Sequence, residues 1–123
     1  MGKRALVIDD SRAMRRVIAN ILVERGFEVL EAEHGQAALD VLAQAGPVDV
    51  ALVDWNMPVM NGYEFIKSVR ASPQYTRLTL MMVTTETEIS QVVRALAAGA
   101  NEYLMKPFTA DDLVQKLELL GLV

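Results

Sequence analysis

The chain has 123 residues, of which 12 are Lys or Arg and 16 are Asp or Glu, with one histidine and no cysteine. That length suits one domain burying about two-thirds of its unfolded surface, and the lack of cysteine excludes disulfides, thiolate metal sites and a cysteine nucleophile. One histidine excludes a multi-histidine zinc site within the chain, and the net charge of −4 gives no general attraction to nucleic acid or anionic membranes. No apolar run approaches the roughly 18–20 residues of a membrane span and no signal-peptide pattern opens the chain, so we expect a small cytoplasmic domain.

Apolar runs and helical periodicity alternate along the chain. Residues 5–8 form a strand-like run that ends in Asp9 and Asp10, and residues 14–22 repeat apolar side chains at helical spacing. Gly26 is expected just beyond the end of that helix. Further strands are predicted over residues 28–32, 50–53, 80–83 and 103–105, and further helices over residues 35–45, 65–69, 89–96 and 113–120.

Strict alternation of strands and helices predicts a parallel sheet with helices on both faces. Strands one, three and four are apolar throughout, which is typical of inner strands in such sheets. Strand two carries Glu28 and Glu31, and strand five is short, so both are expected at the edges. The sequence therefore predicts an α/β, doubly wound domain over residues 1–123, with a five-stranded parallel sheet in the order 2-1-3-4-5.

Acidic, hydroxyl and amine side chains follow the carboxyl ends of these strands. They are Asp9, Asp10, Asp54, Thr84 and Lys106. Open α/β sheets bind ligands at this edge, and three carboxylates meeting there would repel one another unless a cation relieved the repulsion. Mg²⁺ suits such a site because it binds through one or two carboxylates together with a phosphate and waters. Lys106 can supply positive charge to a phosphoryl group, and an ionised carboxylate can attack that group without a general base.

This set of residues resembles the receiver domain of two-component response regulators, over essentially the whole chain. Within that family it is similar to chemotaxis regulators of the CheY type. The shared motifs are Met14-Arg15-Arg16, Asp54-Trp55-Asn56-Met57-Pro58, Met60-Asn61-Gly62 in outline, and Gly99-Ala100 leading to residues 103–110. The strand order 2-1-3-4-5 is that of the flavodoxin-like (βα)5 fold, so the edge-strand argument agrees with a known topology.

The resemblance implies a phosphoacceptor and a metal site. Asp54 would accept a phosphoryl group from a phosphohistidine of a sensor histidine kinase. Asp10 and Asp54, with the backbone carbonyl of Asn56, would hold Mg²⁺, and Asp9 would bind it directly or through water.

The resemblance also implies a switch. Thr84 and Lys106 would bind the phosphoryl oxygens, and Tyr103 would turn inward as Thr84 moves toward the phosphate. The surface formed by helix four, strand five and helix five would change shape, and the Lys106-Pro107 peptide bond is expected to be cis. The positions that tune hydrolysis of the phosphoryl group would be Asn56, Thr85 and Glu86.

Four positions lead to separate expectations. Thr85 stands where chemotaxis relatives usually have Ala or Gly, and its bulk would narrow access to the acceptor. Val59 replaces a residue that is commonly polar. Trp55 is expected to be a partly exposed neighbour of the site, and His34 an exposed turn residue.

The expected partners are a cognate sensor kinase and a downstream protein reached through the switch surface. That protein is a motor switch, a phosphotransfer protein or another target, and the absence of lysine in helix four weakens the case for a motor switch. We expect no direct binding of nucleic acid or membrane. The chain is expected to be a monomer, with dimerisation on phosphorylation left open.

Two other functions are compatible with the topology. A Mg²⁺-dependent phosphohydrolase would use Asp54 as nucleophile, but it needs a second acid two residues later, where this chain has Asn56. A flavin-binding domain would need a loop that cradles phosphate after strand one, where Asp9 and Asp10 would repel one. The sequence favours a phosphorylation-controlled signalling protein, which is not an enzyme in the metabolic sense although it catalyses its own Mg²⁺-dependent phosphorylation and dephosphorylation.

Overall fold

The computed structural model describes residues 2–85 and 90–123, in which strands and helices alternate as predicted. The strands are β1 Arg4–Ile8, β2 Glu28–Ala32, β3 Val50–Asp54, β4 Thr79–Thr85 and β5 Glu102–Lys106. The helices are α1 Arg12–Glu24, α2 Gly35–Ala45, α3 Gly62–Arg70, α4 Ser90–Ala98 and α5 Ala110–Leu119, with a 3₁₀ turn over Pro73–Tyr75 that the sequence did not predict. The predicted helical residue Ile89 lies outside the described residues. Within the described ranges, no helix is long and apolar enough to cross a bilayer.

The strands form one parallel sheet in the order β2-β1-β3-β4-β5, which confirms the predicted topology. Every residue of β3 is buried, whereas the edge strand β2 exposes Glu28 and Glu31. The register places Asp54 beside Val83 and Thr85 beside Lys106. The carboxyl ends of β3, β4 and β5 therefore lie side by side at one edge of the sheet.

Alternate residues of the inner strands pack against helices on the two faces of the sheet. Ala5 and Val7 face a core formed with α1 and α5, and Leu6 and Ile8 face a core formed with α2, α3 and α4. Full burial of an apolar side chain such as Phe65, which is 0% exposed, contributes about 1.5–3 kcal/mol. Two close-packed layers of helices thus hold the strands, and with them the strand ends, in fixed positions.

Side-chain caps set where the helices next to the carboxyl edge begin. Ser11 Oγ accepts a hydrogen bond of 3.2 Å from the backbone N–H of Met14 at the start of α1. At the start of α3, Asn61 Oδ1 accepts from the Glu64 N–H at 2.9 Å, and Glu64 Oε1 accepts from the Asn61 N–H at 3.0 Å. These contacts satisfy backbone donors that have no partner within the helix.

The expectation that His34 is an exposed turn residue was wrong. His34 is half-buried and caps α2, because its Nδ1 accepts a hydrogen bond of 3.1 Å from the Ala37 N–H. Histidine is not among the common capping residues, so the local sequence gave no signal for this role. The next residue, Gly35, donates its N–H to the carbonyl of Met60 at 3.4 Å, which ties the start of α2 to the loop between β3 and α3.

Candidate functional site

Three carboxylates converge at the carboxyl edge of the sheet. Asp9 and Asp10 follow β1, and Asp54 is the last residue of the neighbouring strand β3. Each offers one oxygen within 4.8 Å of the oxygens of the other two. Asp9 is 2% and Asp54 7% exposed, whereas Asp10 is open to solvent. The cluster is thus reached from solvent on the side of Asp10.

Lys106 brings a positive charge to this cluster from the end of β5. Its Nζ lies 3.1 Å from Asp54 Oδ1 and 3.5 Å from Asp9 Oδ2. The ammonium group thus contacts both buried carboxylates at the same time. Part of the mutual repulsion within the cluster is offset, although three carboxylates still face one ammonium group.

Burial dominates the electrostatics of Asp54. The pKa of this carboxyl is raised from 3.8 to about 6, chiefly by burial and then by the nearby charge of Asp9, and Lys106 opposes both effects. Burial alone would lower the pKa of Lys106, but the charges of Asp54 and Asp9 outweigh it and hold that pKa above its usual value. In the absence of a bound cation, Asp54 therefore takes up a proton at a higher pH than an ordinary carboxyl group does, and Lys106 stays protonated to a higher pH than an ordinary lysine.

The donor set fits a hard divalent cation. Asp9 Oδ1 accepts a hydrogen bond of 2.8 Å from the Ser11 N–H, but Asp9 Oδ2 is buried without a hydrogen-bond partner among the described residues. A buried carboxylate oxygen without a hydrogen bond is costly unless it meets a cation. Lys106 supplies one at 3.5 Å, beyond hydrogen-bonding reach, and a metal ion among Asp9, Asp10 and Asp54 would supply a second. All three side chains offer oxygen ligands, which Mg²⁺ prefers.

The other predicted site residues lie near the same edge. Thr84 is fully buried near the end of β4, with its hydroxyl 3.4 Å from the carbonyl of Thr85. Thr85 is half-buried and pairs with Lys106, and Asn56 is exposed in the turn after β3. Glu86, the other residue expected to tune hydrolysis, lies outside the described residues.

Tyr103 lies on β5 beside Met82 on β4, and is therefore farther from the carboxyl edge of the sheet than Thr84. Its half-buried ring packs against the core formed with α2, α3 and α4. Lys116 Nζ, from α5, lies 4.3 Å from the centre of the ring. The ring therefore contacts both the core and α5. The Lys106-Pro107 peptide bond that follows β5 is cis, as expected.

Trp55 is buried rather than partly exposed, which corrects the expectation from the sequence. Its exposed fraction is 8%, and its ring centre lies 5.9 Å from that of Tyr63 on α3. Arg94 on α4 lies above the other ring of the pair, 4.4 Å from the centre of Tyr63. Burial follows from this packing between elements, which the sequence pattern around Trp55 does not encode.

Val59 is the centre of a strained turn in the loop after Asp54. Its φ is 69°, and the Met60 N–H donates to the Pro58 carbonyl at 2.7 Å, which is the hydrogen bond of a γ-turn. A β-branched residue is disfavoured at positive φ, and nothing offsets this by burial because Val59 is 77% exposed. Asparagine would fit this turn better than valine, because it tolerates positive φ.

We predict that Val59→Asn raises the free energy of unfolding by about 1 kcal/mol, because asparagine tolerates positive φ. Denaturant titration of the two proteins measures this change. Val93→Asn is a matched control, since Val93 is 72% exposed but lies within α4. That control should have no stabilising effect, and equal gains for both variants would contradict a strained turn at Val59.

Comparison with known proteins finds relatives that are similar in sequence and in fold. Residues 5–118 match the family model described as the response regulator receiver domain. A chemotaxis protein CheY homolog of Campylobacter jejuni is 50% identical over 116 residues, which are 94% of this chain and 89% of that protein. Chemotaxis protein CheY1 of Helicobacter pylori is 46% identical over 117 residues, with 94% of each chain covered. The solved structure of chemotaxis response regulator CheY4 of Vibrio cholerae has a TM-score of 0.90 at 38% identity and covers 98% of this chain and 99% of that one.

Proposed function

The chain belongs to the family of response regulator receiver domains, and from this premise we propose that residues 1–123 act as one receiver domain that accepts a phosphoryl group on Asp54. Family membership decides in favour of a phosphorylation-activated response regulator, against the phosphohydrolase and flavin-binding functions. The observation that carries the choice of acceptor is the position of Asp54, buried between Asp9 and Lys106 at the end of the central strand.

The transfer step needs few groups. A carboxylate oxygen of Asp54 forms a bond to phosphorus while the P–N bond of a phosphohistidine breaks. The imidazole leaves with the electron pair of that bond and takes up a proton. Lys106 binds a phosphoryl oxygen and stabilises the charge that develops there, and the Thr84 hydroxyl donates a hydrogen bond to another.

Mg²⁺ is the cation whose chemistry fits the donor set. Asp9, Asp10 and Asp54, with the carbonyl of Asn56, would hold it. When bound, it neutralises the carboxylates and the phosphoryl oxygens, so that two anionic groups can approach each other. The chain is a signalling protein rather than a metabolic enzyme, and we propose that it catalyses its own phosphorylation and dephosphorylation at these residues. The residues we expect to tune the rate of dephosphorylation are Asn56, Thr85 and Glu86.

The phosphoryl group would act on a partner through the switch surface formed by α4, β5 and α5. Added charge at Asp54 would draw Thr84 and Lys106 toward the phosphate, and Tyr103 would follow into the space beside β4. A sensor histidine kinase would supply the phosphoryl group. The target is a protein, and the similarity to CheY homologs favours a component of chemotaxis. We propose a monomer before phosphorylation.

Intact mass spectrometry after incubation with Mg²⁺ and a small acyl phosphate tests the acceptor. We expect one labile phosphoryl adduct on the natural chain, and none on Asp54→Asn or when Mg²⁺ is chelated. Asp40→Asn is the matched control, because Asp40 is an exposed carboxylate of α2, and it should be phosphorylated like the natural chain. An adduct that persists in Asp54→Asn would exclude Asp54 as the acceptor. A folded protein that binds Mg²⁺ but forms no adduct would contradict self-catalysed transfer.

A further inference from the structure

We infer that Arg15 is a positioning residue for the phosphoacceptor site, which fixes Asp9 through its backbone carbonyl so that one carboxylate oxygen faces the metal. The inference rests on the proposed function, since it concerns how the same acidic cluster binds Mg²⁺. Arg15 was part of a shared motif in the sequence, but nothing in the sequence alone gave it a role.

Arg15 reaches the site from the first turns of α1. Its Nη1 donates a hydrogen bond of 2.6 Å to the Asp9 carbonyl, and its Nε lies 3.1 Å from Glu31 Oε1 on β2. The side chain is only 15% exposed. A planar guanidinium can make both contacts at once, in directions that an ammonium group does not match. Arg15 therefore links α1, the end of β1 and the edge strand β2 at a single point.

The polar atoms of Asp9 show what this link achieves. The Asp9 N–H donates to the Ala32 carbonyl at 3.1 Å, the Asp9 carbonyl accepts from Arg15, and Asp9 Oδ1 accepts from the Ser11 N–H. Within residues 2–85 and 90–123, Oδ2 is the one polar atom of Asp9 that has no hydrogen bond, and it lies 3.5 Å from Lys106 Nζ within the cluster. Three of the four polar atoms are thus used to aim the fourth at the position where a cation would bind.

The contact acts through geometry more than through charge. Glu31 accepts from the same guanidinium, so the pair of Arg15 and Glu31 carries little net charge toward the cluster. Without Arg15, the Asp9 carbonyl would lose a charge-assisted hydrogen bond, and the junction between β1 and α1 would move more freely. Asp10 lies on that junction as well, so two of the three carboxylates would be less well placed. Removal of groups that orient metal ligands commonly weakens metal affinity 10- to 100-fold.

A Mg²⁺ titration of the full chain tests the inference, followed by calorimetry and by the fluorescence of Trp55, the only tryptophan. Arg15→Met should raise the dissociation constant for Mg²⁺ about 10- to 100-fold. Arg15→Lys keeps the charge and is the milder variant should Met impair folding, and it should raise the constant about threefold or more. Arg16→Met is the matched control, since Arg16 is the next residue of the same helix and is exposed, and it should stay within about twofold of the natural chain.

The outcomes separate this inference from the proposed function. A purely structural Arg15 would lower the thermal midpoint and leave the Mg²⁺ dissociation constant of the folded protein unchanged, and that result would overturn the inference alone. Weaker binding in Arg15→Met and Arg15→Lys, but not in Arg16→Met, would support it. If the natural chain itself bound no Mg²⁺, both the proposed metal site and the positioning role would be wrong.

Discussion

Replacing Asp54 with asparagine should stabilise the protein, and the gain should depend on pH. The reason is the pKa of this carboxyl, which is raised from 3.8 to about 6, chiefly by burial. The folded protein therefore binds the proton of Asp54 more tightly than the unfolded chain does. It follows that the contribution of Asp54 to stability is fully present below about pH 4 and is lost as the pH rises through about 6. Asparagine stays neutral at every pH, so its contribution to stability is not lost as the pH rises.

The size of the effect follows from the shift. The rise of the pKa from 3.8 to about 6 corresponds to about 3 kcal/mol, at about 1.36 kcal/mol for each pKa unit. We expect the difference in free energy of unfolding between Asp54→Asn and the natural chain to be near zero at about pH 4. It should increase up to about pH 6 and reach a plateau of up to about 3 kcal/mol above that.

Denaturant titrations at a series of pH values, without divalent cations, measure this difference. Asp40→Asn is again the control, and we expect it to change the free energy of unfolding by less than about 0.5 kcal/mol at every pH. A constant difference from pH 4 to pH 8 would show that the effect of Asp54→Asn does not come from the ionisation of Asp54.

The same prediction explains what a bound cation would do for the fold. Mg²⁺ would bind the folded chain, in which the carboxylates lie together, and not the unfolded chain, so its binding would add to the free energy of unfolding. It would also favour the ionised form of Asp54, which burial disfavours. The stability difference between the natural chain and Asp54→Asn should therefore shrink when Mg²⁺ is added. Without a bound cation, the site thus lowers the free energy of unfolding, as is common where function needs charges close together.

The topology could be predicted because two independent features of the sequence indicate it. Apolar runs alternate with helical periodicity, and the charges of Glu28 and Glu31 mark β2 as an edge strand. With the order known, the ends of β1 and β3 must be neighbours, so the meeting of Asp9, Asp10 and Asp54 follows from the sequence. Lys106 could be placed at the same edge by the same argument.

Individual side-chain contacts between elements could not be predicted. The burial of Trp55 depends on Tyr63, and the role of Arg15 depends on Glu31 and on a backbone carbonyl that no pattern singles out. The cap by His34 is local, but histidine rarely has that role, so its residue type misled the prediction. In each case the structure depends on a specific contact, which the periodicity of the sequence does not indicate.

Gly62→Ala should both destabilise the fold and lower the rate at which Asp54 is phosphorylated. A Cβ at Gly62 would lie 2.7 Å from the Asp54 carbonyl oxygen and 3.0 Å from Trp55 Cα. Both neighbours are backbone atoms at the end of the central strand, so they cannot move aside cheaply. Overpacking of this kind costs about 1–3 kcal/mol, which exceeds the gain in helix propensity of up to about 1 kcal/mol at the first residue of α3. Any relief would come from moving Asp54 itself.

Gly35→Ala is a closely matched control, because Gly35 is also the first residue of its helix, α2. A Cβ there would lie 2.7 Å from Met60 Cγ and 2.9 Å from Met60 Cβ, so Met60 would have to shift. Neither of these atoms belongs to Asp54. We expect each substitution to lower the free energy of unfolding by about 1–3 kcal/mol, so that the two variants differ in what they displace rather than in stability. The rate of adduct formation should fall about tenfold or more in Gly62→Ala alone, since a small displacement of a reacting group has a large effect on rate. Equal rates in the two variants would show that the close contact at Gly62 does not position Asp54.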